Sequence, residues 1–431
     1  MRHKVRIRSS NQAKVTNRYR LRPGKQKCKN VLNRHINSVR GSSKHPHASQ
    51  LVEFASTSPD DGSTRRTDMS GDALSIEDIR RLATGAWILG AGGGGDPYHS
   101  YLNMRELYRD STVVKLLDPA NLADDSLIAV VSAMGAPLVG EERLDDPVIA
   151  ARAVQVMEEY LGKKFDAVMA VEIGGSNGLQ PLLVASIMNI PVVDADAMGR
   201  AFPEAQMTSF AIGGLQPFPM ALADIRDNAV VLTRSASWQW TERLSRVVCT
   251  EMGATAATCK APRTGQEVKE WGLPNTVSQA IRIGLRIEEA NASHFDPIQA
   301  VLDVEKGQRL FTGKVSDVKR QTTDGFLRGS AEIEGLEKDR GHRFQLEFQN
   351  EFLLGIRDGS VEVMVPEIIC VMDSTTGEAT GTETLRYGQR VTVIALPSPA
   401  LLLTDAGLRL MGPRAFKYDF DFKSVFGGDC E

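Results

Sequence analysis

The chain of 431 residues contains no uninterrupted run of eighteen apolar residues, so no segment reads as a membrane-spanning helix. Acidic residues are missing from residues 1–50, which hold 14 Lys and Arg. The remainder therefore carries 37 basic against 54 acidic residues, a net −17 hidden beneath a formal total of −3. A body this acidic repels a phosphate backbone, which argues against a nucleic-acid role for it. Cysteine is scarce. Cys28, Cys249, Cys259, Cys370 and Cys430 form no CxxC pair and no even framework, and no secretory signal precedes them. That usage fits a reducing, cytoplasmic setting. Beyond the basic head only His99, His294 and His342 remain, none in an HExxH pattern, so a three-histidine zinc site finds no support.

The head, residues 1–68, is sparse in apolar residues and has little surface to bury against the entropy of ordering. It reads as a basic disordered extension, with Met69 as the natural start of the working protein. A transit peptide and a nucleic-acid-binding arm are the other readings open to an Arg-rich, acid-poor segment.

Ser75-Ile-Glu-Asp78 reads as a capping box opening a helix that ends near Gly85. A short strand, Ala86–Leu89, is expected next, running into Gly90-Ala-Gly-Gly-Gly-Gly95. Asp96-Pro97 then reads as the start of a helix reaching Arg109. Strands and helices alternate from there. Leu127–Val131 is a strand, Pro147–Leu161 a helix, Asp166–Ile173 a strand and Pro181–Asn189 a helix. A further strand begins at Pro191 and ends in Asp194-Ala-Asp196. This alternation predicts an α/β domain over 69–300, a mostly parallel sheet with flanking helices. Beyond it the segments turn short and β-rich: Arg309–Lys319, Phe344–Ile356, Ser360–Val365, Ile368–Met372 and Gln389–Leu396. Turn signals at Asp358-Gly359 and Thr376-Gly377 separate them, and a β-rich C-terminal domain is expected over 301–431.

Three joints carry the candidate chemistry. In the first, Gly92, Gly93, Gly94 and Gly95 free the backbone to converge on an anion or substrate at a helix N-terminus. No Lys follows, so it is no Walker loop, and a tight crossing that needs glycine only for packing is the alternative. Asp96 and His99 leave this loop on one helix face, Asp96 as a helix cap or as a catalytic carboxylate. In the second, Glu172 ends an otherwise apolar strand, where an unpaired carboxylate is costly, at the edge where open α/β sheets bind ligands. Gly174, Gly175 and Asn177 follow it. Gly174-x-Ser176-x-Gly178 also fits a nucleophile elbow, with Asp194 or Asp196 and His294 as partners for Ser176. In the third, Asp194 and Asp196 share one face at strand spacing and join Glu172 and Asp96 in a cluster that calls for a divalent cation. The plainer alternative has one of the pair capping a helix and the other paired with Arg200.

Together, Leu89-Gly-Ala-Gly-Gly-Gly-Gly-Asp-Pro-Tyr98, Glu172-Ile-Gly-Gly-Ser-Asn177 and Val193-Asp-Ala-Asp-Ala-Met-Gly-Arg-Ala-Phe-Pro203 resemble the domain-of-unknown-function family 917, the S-methyl thiohydantoin desulfurase-like family. Thr312-Gly-Lys-Val-Ser-Asp-Val318, Asn350-Glu-Phe352, Leu385-Arg-Tyr-Gly-Gln-Arg-Val391 and Gly412-Pro-Arg-Ala-Phe416 extend the resemblance over roughly residues 72–425. It implies an α/β part followed by a β-rich part, thiohydantoin or hydantoin chemistry, and association with hydantoinase or oxoprolinase proteins. By that resemblance Asp96, Glu172, Asn177, Asp194 and Asp196 form the site. A divalent metal, zinc among the candidates, would be held by Asp194, Asp196 and Glu172 to activate water against a small cyclic amide or thioamide. Asp96 or Glu172 would act as base, with Asn177 stabilising the developing anion. The family's pattern does not depend on a serine at Ser176, and Ala197 stands where many relatives have glycine. A non-catalytic accessory or ligand-binding subunit of a hydantoinase-type system and a serine hydrolase at Ser176 are the rival readings.

Overall fold

The computed structural model describes residues 71–109, 112–135, 139, 146–323 and 325–427; the expected basic head and Met69 lie outside them. The chain begins β1 (Asp72–Ala73), α1 (Ile76–Leu89), α2 (Tyr98–Arg109), β2 (Lys115–Leu117), β3 (Leu127–Gly135) and α3 (Pro147–Leu161). It continues β4 (Ala167–Ala170), α4 (Gln180–Met188), β5 (Val192–Val193), β6 (Ala195–Asp196), α5 (Ser209–Ile212), β7 (Met220–Ala223) and β8 (Ala229–Leu232). Then come α6 (Trp238–Glu251), β9 (Thr255–Cys259), β10 (Arg263–Thr264), α7 (Gly265–Trp271), β11 (Leu273–Pro274), α8 (Thr276–Ala292) and α9 (Pro297–Glu305).

The first helix corrects the sequence reading. Ser75 and Asp78 do form the capping box, but α1 runs past Gly85 to Leu89. Ile79, Leu82, Ala83, Ala86 and Trp87 recur at helical spacing and are all buried, so the expected strand Ala86–Leu89 is the last turn of the helix. Gly85 marks a helix crossing instead of an end. A Cβ there would stand 1.9 Å from the Ala280 carbonyl oxygen of α8, and one at Gly284 would stand 2.0 Å from that of Arg81.

One mixed sheet runs in the order β1-β2-β5-β4-β3-β9-β7-β8, with β10 also paired to β3. Its core is parallel (β2 with β5, β5 with β4, β4 with β3), and antiparallel strands flank that core on both sides. Neighbouring residues point to opposite faces and both faces are covered, which accounts for the near-continuous apolar strands. Ala129, Val131, Val168 and Val192 pack with α1, α3 and α4, whereas Ile128, Val130, Met169, Val171 and Val193 pack with Met198, Phe202 and Phe210.

The second sheet is wholly antiparallel. It comprises β12 (Gln308–Thr323), β13 (Phe326–Gly335), β14 (Arg343–Gln349), β15 (Glu351–Arg357), β16 (Ser360–Met364), β17 (Ile368–Asp373) and β18 (Arg390–Leu396), ordered β16-β15-β14-β13-β12-β18-β17. The expected single strand Phe344–Ile356 is two strands, because Asn350 at φ 60° reverses the chain. β13 had no counterpart in the sequence reading: Leu327, Ala331 and Ile333 do alternate with Arg328, Glu332 and Glu334, but Gly329 and Ser330 interrupt the pattern. The two sheets meet at the glycine loop. The Phe352 N–H donates to the Ala91 carbonyl at 2.8 Å and the Thr382 N–H to that of Gly92 at 2.8 Å, which brings the β14–β15 turn against the first sheet.

Candidate functional site

A cavity of about 450 Å³ lies beyond the carboxyl ends of the parallel strands, the edge at which open α/β sheets leave crevices. Val130, Ser132 and Met134, alternate residues of β3, line one side with Glu172, Ser176 and Asn177 beside them. Asn350, Glu351 and Glu383 line it from the second half of the chain.

Asn177 is held at both ends. Its Oδ1 accepts the Ala133 N–H at 2.7 Å, and its Nδ2 donates to Glu172 Oε1 at 2.6 Å. The other Glu172 oxygen accepts the Phe202 N–H at 3.2 Å. Burial pushes the Glu172 carboxyl up to about 8, against the pull of these hydrogen bonds and the Lys260 charge, so it keeps its proton at neutral pH. Burial also holds Glu351 well above the usual carboxylate range, Glu172 adds to that rise and Arg200 opposes it, and Glu351 Oε2 has no hydrogen-bond partner among the described residues. Asp96 stands exposed at the rim, where its Oδ1 accepts the Tyr98 N–H at 2.8 Å at the start of α2. Asp96 and His99 both line the cavity.

The glycines divide. Gly94 and Gly95 line the cavity. Gly92, Gly93, Gly174 and Gly175 sit at close contacts: an added Cβ would meet Phe352 at 2.4 Å, Glu351 Oε1 at 2.2 Å, the Ala201 nitrogen at 2.6 Å and the Gly95 carbonyl oxygen at 2.5 Å, respectively. Gly94 itself has φ +75°, and its Cβ would lie 2.3 Å from the Gly174 carbonyl oxygen. The first two joints are thus interlocked, bonded by the Ser176 N–H to the Gly95 carbonyl at 2.9 Å.

Ser176 Oγ shares a 2.7 Å hydrogen bond with Ser100 Oγ, and His294, its expected base, does not line the cavity. The two aspartates of the third joint part company. Asp194 caps α8, accepting the Val277 N–H at 2.8 Å, the Ser278 N–H at 3.1 Å and the Ser278 hydroxyl at 2.5 Å. Asp196 Oδ2 accepts the N–H groups of Ile173 and Gly199, each at 2.8 Å, while Oδ1 has no hydrogen-bond partner among the described residues. Neither lines the cavity. Arg200 pairs with neither aspartate. It donates to the carbonyls of Ala201, Phe352 and Glu367, tying the two sheets together. Among the described residues no three His, Cys, Asp or Glu side chains group as a metal ion requires, so Glu172, Asp194 and Asp196 do not assemble as a ligand set.

Sequence reasoning missed the cations. Val131 pairs with Cys259, which sets Lys260 opposite Val130 and on its face of the sheet, toward the cavity. Arg263 lines the same space three residues on. Neither residue lies in a motif, and only strand pairing across more than a hundred residues brings them here. Glu351 had a signal, the Asn350-Glu-Phe352 segment of the resemblance.

A mixed-sheet α/β half and an antiparallel half, locked through glycine joints around one polar cavity, define the class of protein. The chain belongs to the S-Me-THD-like family: residues 77–234 match its N-terminal domain and residues 234–425 its C-terminal domain. The two matches meet just past β8, so the second supplies β9, β10 and the cationic segment after β9 to the first sheet. A crystal structure of a protein from Chromobacterium violaceum has a similar fold, with a TM-score of 0.70 and 23% identity, covering 82% of this chain and 100% of that one. No curated protein matches the sequence.

Proposed function

We propose that the chain is a hydrolase acting on a small five-membered cyclic amide or thioamide of the thiohydantoin and hydantoin type. The family's name motivates the substrate class. The observation that carries the chemistry is the Glu172–Asn177 pair, a buried carboxyl held in a fixed orientation at the cavity wall, where burial favours its protonated form. Water adds to the ring C=S carbon and passes one proton to Glu172 as Glu172 gives its own to the sulfur. Collapse of the tetrahedral adduct breaks the C–S bond, and the sulfur leaves with the hydroxyl proton as hydrogen sulfide. The ring keeps a C=O and Glu172 is again protonated. Asn177 is a positioning residue in this scheme. No step runs through a metal ion, and the Asp194 and Asp196 carboxylates serve the backbone.

A general acid of this kind contributes roughly 10²–10⁴-fold. Glu172→Gln preserves the shape and the Asn177 contact while removing the acid. On a panel of thiohydantoins its kcat for sulfide release should fall by about that factor. Unchanged turnover in this variant would overturn the assignment.

A further inference from the structure

Lys260 and Arg263 line the cavity with no carboxylate in direct contact among the described residues; the acids whose charges act on them are Glu242 and Glu172 on Lys260 and Glu267 on Arg263. Lys260 makes no side-chain hydrogen bond or ion pair with any described residue. Arg263 is 4% exposed, its Nη2 donates to the Gln216 carbonyl at 2.8 Å, and its guanidinium lies 4.8 Å from the centre of the Phe210 ring. Its Nε is buried with no acceptor among the described residues. Lys260 is half-buried and Arg263 buried, and a charge withdrawn from water with no paired anion is expensive, so proteins keep one where something else completes it.

The acids around the same cavity do not complete it. Glu242 is bound by Arg246 at 2.5 Å. Glu172 holds its proton, and Glu351 stands against Arg200. Glu204 accepts the side-chain amides of Gln206 at 2.6 Å and Gln349 at 3.4 Å. Glu383 accepts the Thr382 hydroxyl at 3.4 Å, and Asp96 caps α2 at the rim.

We propose that Lys260 and Arg263 form an anion-binding end of the cavity, and that its ligand is a small molecule bearing a carboxylate. This rests on the reading of the cavity as a cyclic-amide site: the ring lies against Glu172 and Asn177 while a carboxylate on its substituent reaches the cations. Charge-assisted hydrogen bonds to the carboxylate supply both affinity and orientation. Burial draws Lys260 below its ordinary value, and a bound carboxylate would reverse that pull.

The test compares two probes of nearly one shape, hydantoin-5-acetic acid and its neutral amide hydantoin-5-acetamide, by titration calorimetry on the full chain. The acid should bind about tenfold or more tightly than the amide. Lys260→Met should erase most of that preference, read as the ratio of the two affinities. Arg263→Gln should do the same, and circular dichroism with thermal melting reports whether it folds. If it does not fold, the charge-retaining Arg263→Lys should fold and keep part of the preference. Equal affinity for the two probes, binding of neither, or an undiminished preference in Lys260→Met overturns the proposal. The two readings fail separately. An acid preference without sulfide release from the 2-thiohydantoin analogues of the two probes leaves the anion end standing and removes the hydrolase, and turnover of both analogues with equal KM does the reverse.

Discussion

Asn177 uses both ends of one amide, the oxygen on the Ala133 N–H of β3 and the nitrogen on Glu172. Asn177→Ala therefore has two separable effects. The Ala133 N–H loses its acceptor, and leaving such a group unsatisfied costs about 1–3 kcal/mol, read as a shift in the urea midpoint. Glu172 also loses a donor that favours its ionised form. Its pKa should rise from about 8, carrying the alkaline limb of the kcat profile to higher pH while kcat itself falls. A destabilised variant whose alkaline limb stays in place would show that Asn177 supports only the fold. At this scale the sequence was partly legible. Glu172 stood out because a carboxylate at the end of an apolar strand needs an explanation. Asp194 and Asp196 looked alike on the page, and only tertiary contacts showed that each serves separate backbone N–H groups.

Between elements, glycine carries much of the architecture. α1 and α8 cross with Gly85 and Gly284 each facing a carbonyl of the other helix, at distances no Cβ tolerates. Gly85→Ala and Gly284→Ala should each destabilise the chain by about 1–3 kcal/mol, the range for overpacking a well-filled contact. Gly94→Ala meets both a positive φ and the Gly174 carbonyl, so it should loosen the interlocked joints and the cavity wall together. For it, a thermal melt and binding of the hydantoin-5-acetamide probe should weaken in parallel. A Gly94→Ala protein that melts and binds as the parent does would remove the joints from the site's architecture. The parallel core was legible because strands buried on both faces are apolar throughout, and the helix Pro147–Leu161 because its cap and period agree. The end of α1 was misread because Gly85 resembles a terminator until the neighbouring helix is seen. β13 was missed because Gly329 and Ser330 interrupt its apolar pattern, although its charged residues alternate with Ala331 and Ile333.

Across the whole molecule, buried acids set how stability follows pH. Burial raises Glu172 to about 8, Asp196 to about 7 and Glu367 to about 7. In the unfolded chain these groups titrate near 4–4.5. Between about pH 4.5 and 8 the folded state therefore holds protons that the unfolded state has released, so stability declines as pH rises through that window. Glu288, Asp358 and Asp421 act oppositely. Hydrogen bonds from Arg81, from the Arg343 backbone and from Arg414 hold them below the usual range, and their contribution disappears as the solution becomes more acidic than their folded values. The melting temperature should therefore peak near pH 5 and fall toward pH 8. The excess of acid beyond residue 50 adds self-repulsion over the same range, but salt screens that part and leaves the buried groups largely untouched. Melts at low and high salt separate the two. A decline that survives high salt, and shrinks in Glu172→Gln, belongs to the buried carboxyls. A melting temperature that stays level or rises from pH 5 to 8 at high salt would mean that these groups ionise in the folded protein at their ordinary values, and the acid assigned to Glu172 would go with them.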